Sequence, residues 1–152
     1  MPNAKFLVVT NDLPEPILEK AALKNIAGGD IIITSAPRAQ VPVHIAVSDS
    51  ALFFIKPVFS KSASSPTKQG EIMGMGVPII CNNGIGDTDE IILDSNAGVL
   101  IDRFDSGQYD KAIAALAATK FEKEKIRQGA QKYYSLDKGV ALYHSIYAAL
   151  VN

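Results

Sequence analysis

Residues 64–92, SSPTKQGEIMGMGVPIICNNGIGDTDEII, carry the side chains whose types and spacing could do chemistry. Ser65-Pro66 is a helix-start signal, an N-cap hydroxyl followed by proline at the first helical position. Such a start leaves the amides of Thr67, Lys68 and Gln69 pointing outward at the positive end of the helix, a setting that suits phosphate. Lys68 adds a full positive charge. Glu71 stands one turn further in, where a carboxylate can accept from paired hydroxyls such as those of a ribose. Gly70 and Gly74 share one helix face. Each costs about 1 kcal/mol against alanine inside a helix, so the pair predicts a close neighbour or a ligand against the backbone. A second polar loop, Asn82-Asn83-Gly84-Ile85-Gly86-Asp87, follows the next apolar run. Its glycines permit positive φ and leave amides bare, and Asp87 is placed to cap the following helix. Two such loops on successive strands face one crevice, which is the geometry of a diphosphate site.

Each of these residues also has a plainer reading. Lys68 can be a solvated lysine, Glu71 a capping or surface carboxylate, and the glycines turn formers. His44 and His144 are isolated. Cys81 reads as a small core residue at the end of a buried strand. The chain has no P-loop, no G-x-G-x-x-G after its first strand and no nucleophile elbow. No metal-ligand cluster is visible either, so neither a catalytic residue nor a metal site is assigned.

The elements that must position these residues follow from apolar runs and turn signals. KFLVVT (5–10), DIIITS (30–35), ALFFIKPV (51–58), VPIICN (77–82) and AGVLID (97–102) read as strands. Most lack alternation, as expected of strands covered on both faces. Helical spacing fills the intervals at 17–26, 39–48, 66–75 and 87–95, and three further helices are expected at 107–118, 121–134 and 136–151. Val140, Tyr143, Ile146, Tyr147 and Leu150 make a packing stripe on the last. The order βαβαβαβαβ followed by helices predicts an α/β fold: a Rossmann-like parallel sheet of about five strands, helices on both faces, and C-terminal helices. Such sheets bind ligands at the carboxyl ends of their strands, where both polar loops lie.

The totals narrow the function. A chain of 152 residues fits one domain, and a net charge of −1 gives no electrostatic case for nucleic acid. One cysteine excludes an internal disulfide and a Cys-based zinc site. No apolar run reaches a membrane span of roughly 20 residues, and MPNAKFLVV is not a signal peptide. The expected compartment is the cytoplasm.

The stretch SPTKQGEIMGMGVPII, then NNGIGDTDEII, then AGVLI resembles the donor-binding segment of the retaining GT-B glycosyltransferases (glycosyl transferases group 1). There a helix reading roughly S-P-x-K-x-x-E-x-M-A-x-G-x-P-V-I precedes a Gly-rich turn and an acidic-apolar stretch. VPVHIAVSDSALFFIKP and YYSLDKGVALYHSIYAAL extend the likeness over most of the chain, most strongly over 41–101. The resemblance implies that Glu71 holds the donor nucleotide's ribose. It places Ser65, Thr67, Lys68, Gln69 and Gly70 near the diphosphate or donor sugar, and Asn83, Gly84 and Gly86 along the same crevice. Asp49 matches an acidic position read as structural. The implied partner is a nucleoside diphosphate sugar, a substrate rather than a cofactor, and no cofactor or bound metal is implied.

The departures carry expectations too. Many members have a second glutamate eight residues before the first, where this chain has Ala63. No Arg/Lys pair precedes KFLVVTND, which matches the family's second strand rather than its first. Residues 1–152 are therefore expected to be a single Rossmann-like nucleotide-sugar-binding domain, the C-terminal half of a two-domain enzyme without its N-terminal acceptor domain. That half would be inactive alone, and the intact enzyme cytoplasmic or membrane-peripheral. With the first strand missing, KFLVVT is expected to pair directly with ALFFIKP, or a homodimer to satisfy the exposed edges. The alternatives are a nucleotide-sugar epimerase of the same architecture and a non-catalytic α/β binding module. A receiver domain is disfavoured because its acidic cluster reduces to Asp12, and the third strand ends in Lys56-Pro57.

Overall fold

The computed structural model describes residues 3–151. The chain divides into two compact units, Met1–Ser48 and Asp49–Asn152, each built from parallel strands and crossover helices.

In the first unit, β1 (Phe6–Val9) leads through α1 (Pro14–Ala22) to β2 (Ile31–Thr34), and α2 (Val41–Ala46) follows. Pro14 starts α1 where a missing N–H costs nothing. Asn25, at φ 57°, turns the chain after it. The strands pair in parallel with Phe6 opposite Ile31 and Val9 opposite Thr34. Lys5 fixes the entry to this ladder, its Nζ donating to Asp30 Oδ1 at 2.7 Å and to the Gly29 carbonyl at 2.8 Å. The expected burial on both faces is not met here. Phe6 is 46% and Ile32 51% exposed, and among the described apolar residues of this unit only Ala21 is buried. A two-stranded ladder is too narrow to cover its own side chains.

The second unit holds the main core. Its strands β3 (Ala51–Leu52), β4 (Ile79–Asn82) and β5 (Gly98–Ile101) form a parallel sheet in the order β3-β4-β5. The helices α3 (Thr67–Gly74) and α4 (Thr88–Asp94) are its crossovers, followed by α5 (Ser106–Ala118), α6 (Lys123–Tyr134) and α7 (Leu136–Val151). β4 is buried at every residue, because it lies between two strands and under helices. Ala112 of α5 closes one side against Ile80 and Ile101. Asp94 of α4 accepts from Lys132 Nζ at 2.8 Å and from the Tyr133 hydroxyl at 2.9 Å, which ties α4 to α6. These two bonds, Lys132 first, hold the Asp94 carboxyl below its ordinary range.

All five predicted strands exist, in two ladders. When they take positions two to six of the doubly wound order 3-2-1-4-5-6, the observed neighbours are 3-2 and 4-5-6. The expected pairing of KFLVVT with ALFFIKP is not among the ladders. Each run pairs instead with the strand its own crossover helix delivers. β3 is also shorter than expected, and Leu52 and Phe54 are 49% and 41% exposed. The apolar stripe of α7 is exposed from Val140 to Leu150 rather than packed. Among the described residues, no helix is long and apolar enough to cross a membrane.

Cys81 is fully buried on β4. Burial, with Asp89 adding to it, pushes its thiol up to about 12. Thiolate is the reactive form, so iodoacetamide at pH 8 is expected to leave the native protein unlabelled while alkylating it fully in denaturant. Stoichiometric labelling of the native protein would show that this end of β4 opens.

Candidate functional site

The site region is built from the carboxyl ends of β3 and β4 and the starts of α3 and α4. Pro66, with φ −72° and ψ 110°, is the N-cap of α3 and offers no side-chain cap. The helix thus begins one residue later than Ser65-Pro66 suggested, and Ser65 does not cap it. The Gln69 amide donates to the Pro66 carbonyl at 3.0 Å, so it is not among the outward amides. Those of Thr67 and Lys68 have no acceptor among the described residues. Ser65, Thr67, Lys68 and Glu71 are exposed. The Gln69 side chain is fully buried and its Nε2 donates to the Thr88 carbonyl at 3.4 Å, which joins the starts of α3 and α4.

Gly70 has the close neighbour its type predicted, a side chain of the same chain. A Cβ built there would lie 2.6 Å from Cγ and 2.8 Å from Cδ1 of Tyr134. Gly74 has nothing within 4 Å of such an atom. The glycine face borders a groove of about 320 Å³ with Arg127, Tyr134 and Ser135, and of the candidate residues only Gly70 lines it.

The second loop keeps the predicted glycine conformations, φ 74° at Gly84 and 50° at Gly86. The amides of Asn83, Gly84 and Gly86, however, are not bare. The Asn83 amide donates to the Ile101 carbonyl at 3.0 Å, and that of Gly86 to the Ser62 carbonyl at 2.9 Å. The Gly84 amide donates to both carboxylate oxygens of Asp89, at 3.1 and 3.0 Å. Asp87 supplies no side-chain cap to α4, so the loop carboxylate is Asp89, two residues later. The bond from Gly86 to Ser62 brings the two polar loops together. Asn82, buried, anchors the base: its Oδ1 accepts from the Ile55 amide at 2.8 Å, and its Nδ2 donates to the Asn83 carbonyl at 3.1 Å. The Asn83 side chain donates to Asp102 at 2.6 Å. Sequence reasoning missed Asp89 and Tyr134, and placed Asn82 in the polar loop without its anchoring role. The polar type of Asn82 at the end of a buried strand was the only local signal.

Among the described residues, no group of three or more His, Cys, Asp or Glu could hold a metal ion. The arrangement pairs two open helix-start amides and a lysine with a carboxylate one turn on. It can therefore receive an anion and a hydroxyl-bearing group side by side.

Solved structures share this framework. WaaG, a glycosyltransferase involved in lipopolysaccharide biosynthesis, matches 90% of the chain with a TM-score of 0.66 and 23% identity. The two share a GT-B-type fold. AviGT4, a glycosyltransferase involved in avilamycin A biosynthesis, shares this GT-B framework over 95% of the chain, with a TM-score of 0.67 and 16% identity. Sucrose-phosphate synthase from Thermosynechococcus elongatus does so over 94%, with a TM-score of 0.66 and 16% identity. The GT-B-like chain spans 37%, 42% and 38% of the lengths of these three proteins respectively. No family model matches the sequence, and no curated protein matches it.

Proposed function

We propose that this chain is the donor-nucleotide-binding part of a glycosyltransferase. The intact protein would move a sugar from a nucleoside diphosphate sugar to a glycan or lipid acceptor in polysaccharide or glycolipid biosynthesis, in the cytoplasm or at a membrane surface. The observation that carries this reading is the start of α3. The amides of Thr67 and Lys68, without acceptors among the described residues, open an exposed helix start that carries Lys68 and, one turn on, Glu71. In this reading the amides and Lys68 hold the diphosphate and offset the charge it gains as it leaves the sugar. Glu71 accepts hydrogen bonds from the ribose hydroxyls, and Asn83, Gly84 and Gly86 border the same ligand. In the intact enzyme another domain would supply the acceptor side.

Calorimetric titration with UDP, GDP and ADP, each at millimolar concentration, tests the proposal. At least one is expected to give saturable heat. Silence from all three would overturn the nucleotide-binding role.

A further inference from the structure

We propose that Tyr134 is a positioning residue, whose ring, seated on Gly70, holds the start of α3 and with it the 62–65 loop that bonds to Gly86. The inference rests on the donor-binding reading for its functional consequence, and on packing alone for its structural one.

Tyr134 is the last residue of α6, and α6 packs along α3. Three atoms of its side chain lie within 3.0 Å of where a Gly70 Cβ would stand, so the ring rests on bare helix backbone in the first turn of α3. Its hydroxyl is buried without a hydrogen bond of good geometry. Burial above all, then the charge of Asp87, pushes it up to about 12, against a smaller lowering by Ser65. Two polar segments flank the start of α3, the 62–65 loop before it and the loop after β4. Those segments already meet through the bond from the Gly86 amide to the Ser62 carbonyl. The Gln69 bond to Thr88 joins the two helix starts from inside. Tyr134 closes this arrangement from the α6 side. Because its hydroxyl lacks a good partner, the prop is the ring, and phenylalanine should replace it.

Hydrogen exchange on the full chain reads the structural part. Tyr134→Ala is expected to speed exchange of the hydrogen-bonded amides of Ser64, Gln69, Gly84 and Gly86 about tenfold, while those of α5 stay near parent rates. Tyr134→Phe should behave as the parent. Gly70→Ala, which displaces the ring, should reproduce the local signature, and adding it to Tyr134→Ala should bring little further change. Uniform acceleration across both regions, no change, or a Phe variant as fast as Ala would each overturn the role. Nucleotide titration reads the functional part, with binding about tenfold weaker in Tyr134→Ala and restored in Tyr134→Phe. If the parent binds no nucleotide, the donor-binding reading fails, and the exchange pattern still decides whether Tyr134 positions the loops.

Discussion

Gly86→Ala is expected to be the most damaging substitution in the site region. Gly86 has φ 50°, and a side chain there costs about 1–2 kcal/mol from backbone strain. The added Cβ would also overlap the Ser64 carbonyl oxygen and lie 2.9 Å from its carbon. That obstacle is backbone, so no rotamer change clears it. The 62–65 loop must retreat and break the 2.9 Å bond from the Gly86 amide to the Ser62 carbonyl. Strain, a lost hydrogen bond and a shifted loop sum to about 3 kcal/mol. For a chain of this size, that lowers Tm by about 6–12 °C. Gly84→Ala is the control. Its φ is 74°, but nothing lies within 4 Å of the new atom, so it should cost about half as much. Equal Tm values for the two variants in thermal unfolding by circular dichroism would refute the contact argument.

Glu71→Ala is expected to remove nucleotide binding without unfolding the chain. Glu71 is exposed on α3, where most substitutions change stability by about 0.5 kcal/mol or less. In the proposed complex it accepts charge-assisted bonds from two hydroxyls, and losing them costs about 1.5–3 kcal/mol, roughly 10- to 100-fold in affinity. A weak millimolar interaction would then fall below calorimetric detection. Glu71→Gln keeps an acceptor oxygen and loses the charge, so it should fall between parent and alanine. A Glu71→Ala protein that binds as tightly as the parent returns Glu71 to an ordinary surface carboxylate.

Both variants show where the sequence was legible and where it was not. The helices and strands of the second unit follow from apolar runs bounded by Gly, Pro and Asn, and β4 is as buried as VPIICN implied. The unbroken run DIIITS gave the strand β2 but misjudged its surroundings. An apolar run records a tendency to be covered, whereas the number of flanking strands is a tertiary matter, and Ile32 is half exposed. The stripe on α7 misled for the same reason. At the site, positive φ at Gly84 and Gly86 was readable because glycine has few other reasons to recur in a polar loop. The partners of their amides were not readable. With Asp87 at φ −94° and ψ 6°, the carboxylate that returns to Gly84 comes from Asp89. That choice depends on a local bend the residue types do not encode. Tyr134 is 64 positions beyond Gly70 by number, and only the packing of α6 on α3 joins them.

The bifurcated bond from the Gly84 amide to Asp89 has a thermodynamic consequence for any anion approaching that loop. The carboxylate is tethered five residues away and acts at an effective concentration that a dissolved ligand reaches only with difficulty. Phosphate arriving at Gly84 exchanges one anion for another and gains only the difference between them. In the proposed complex Asp89 would compete with that phosphate, and an affinity measured at Gly84 would be a displacement constant.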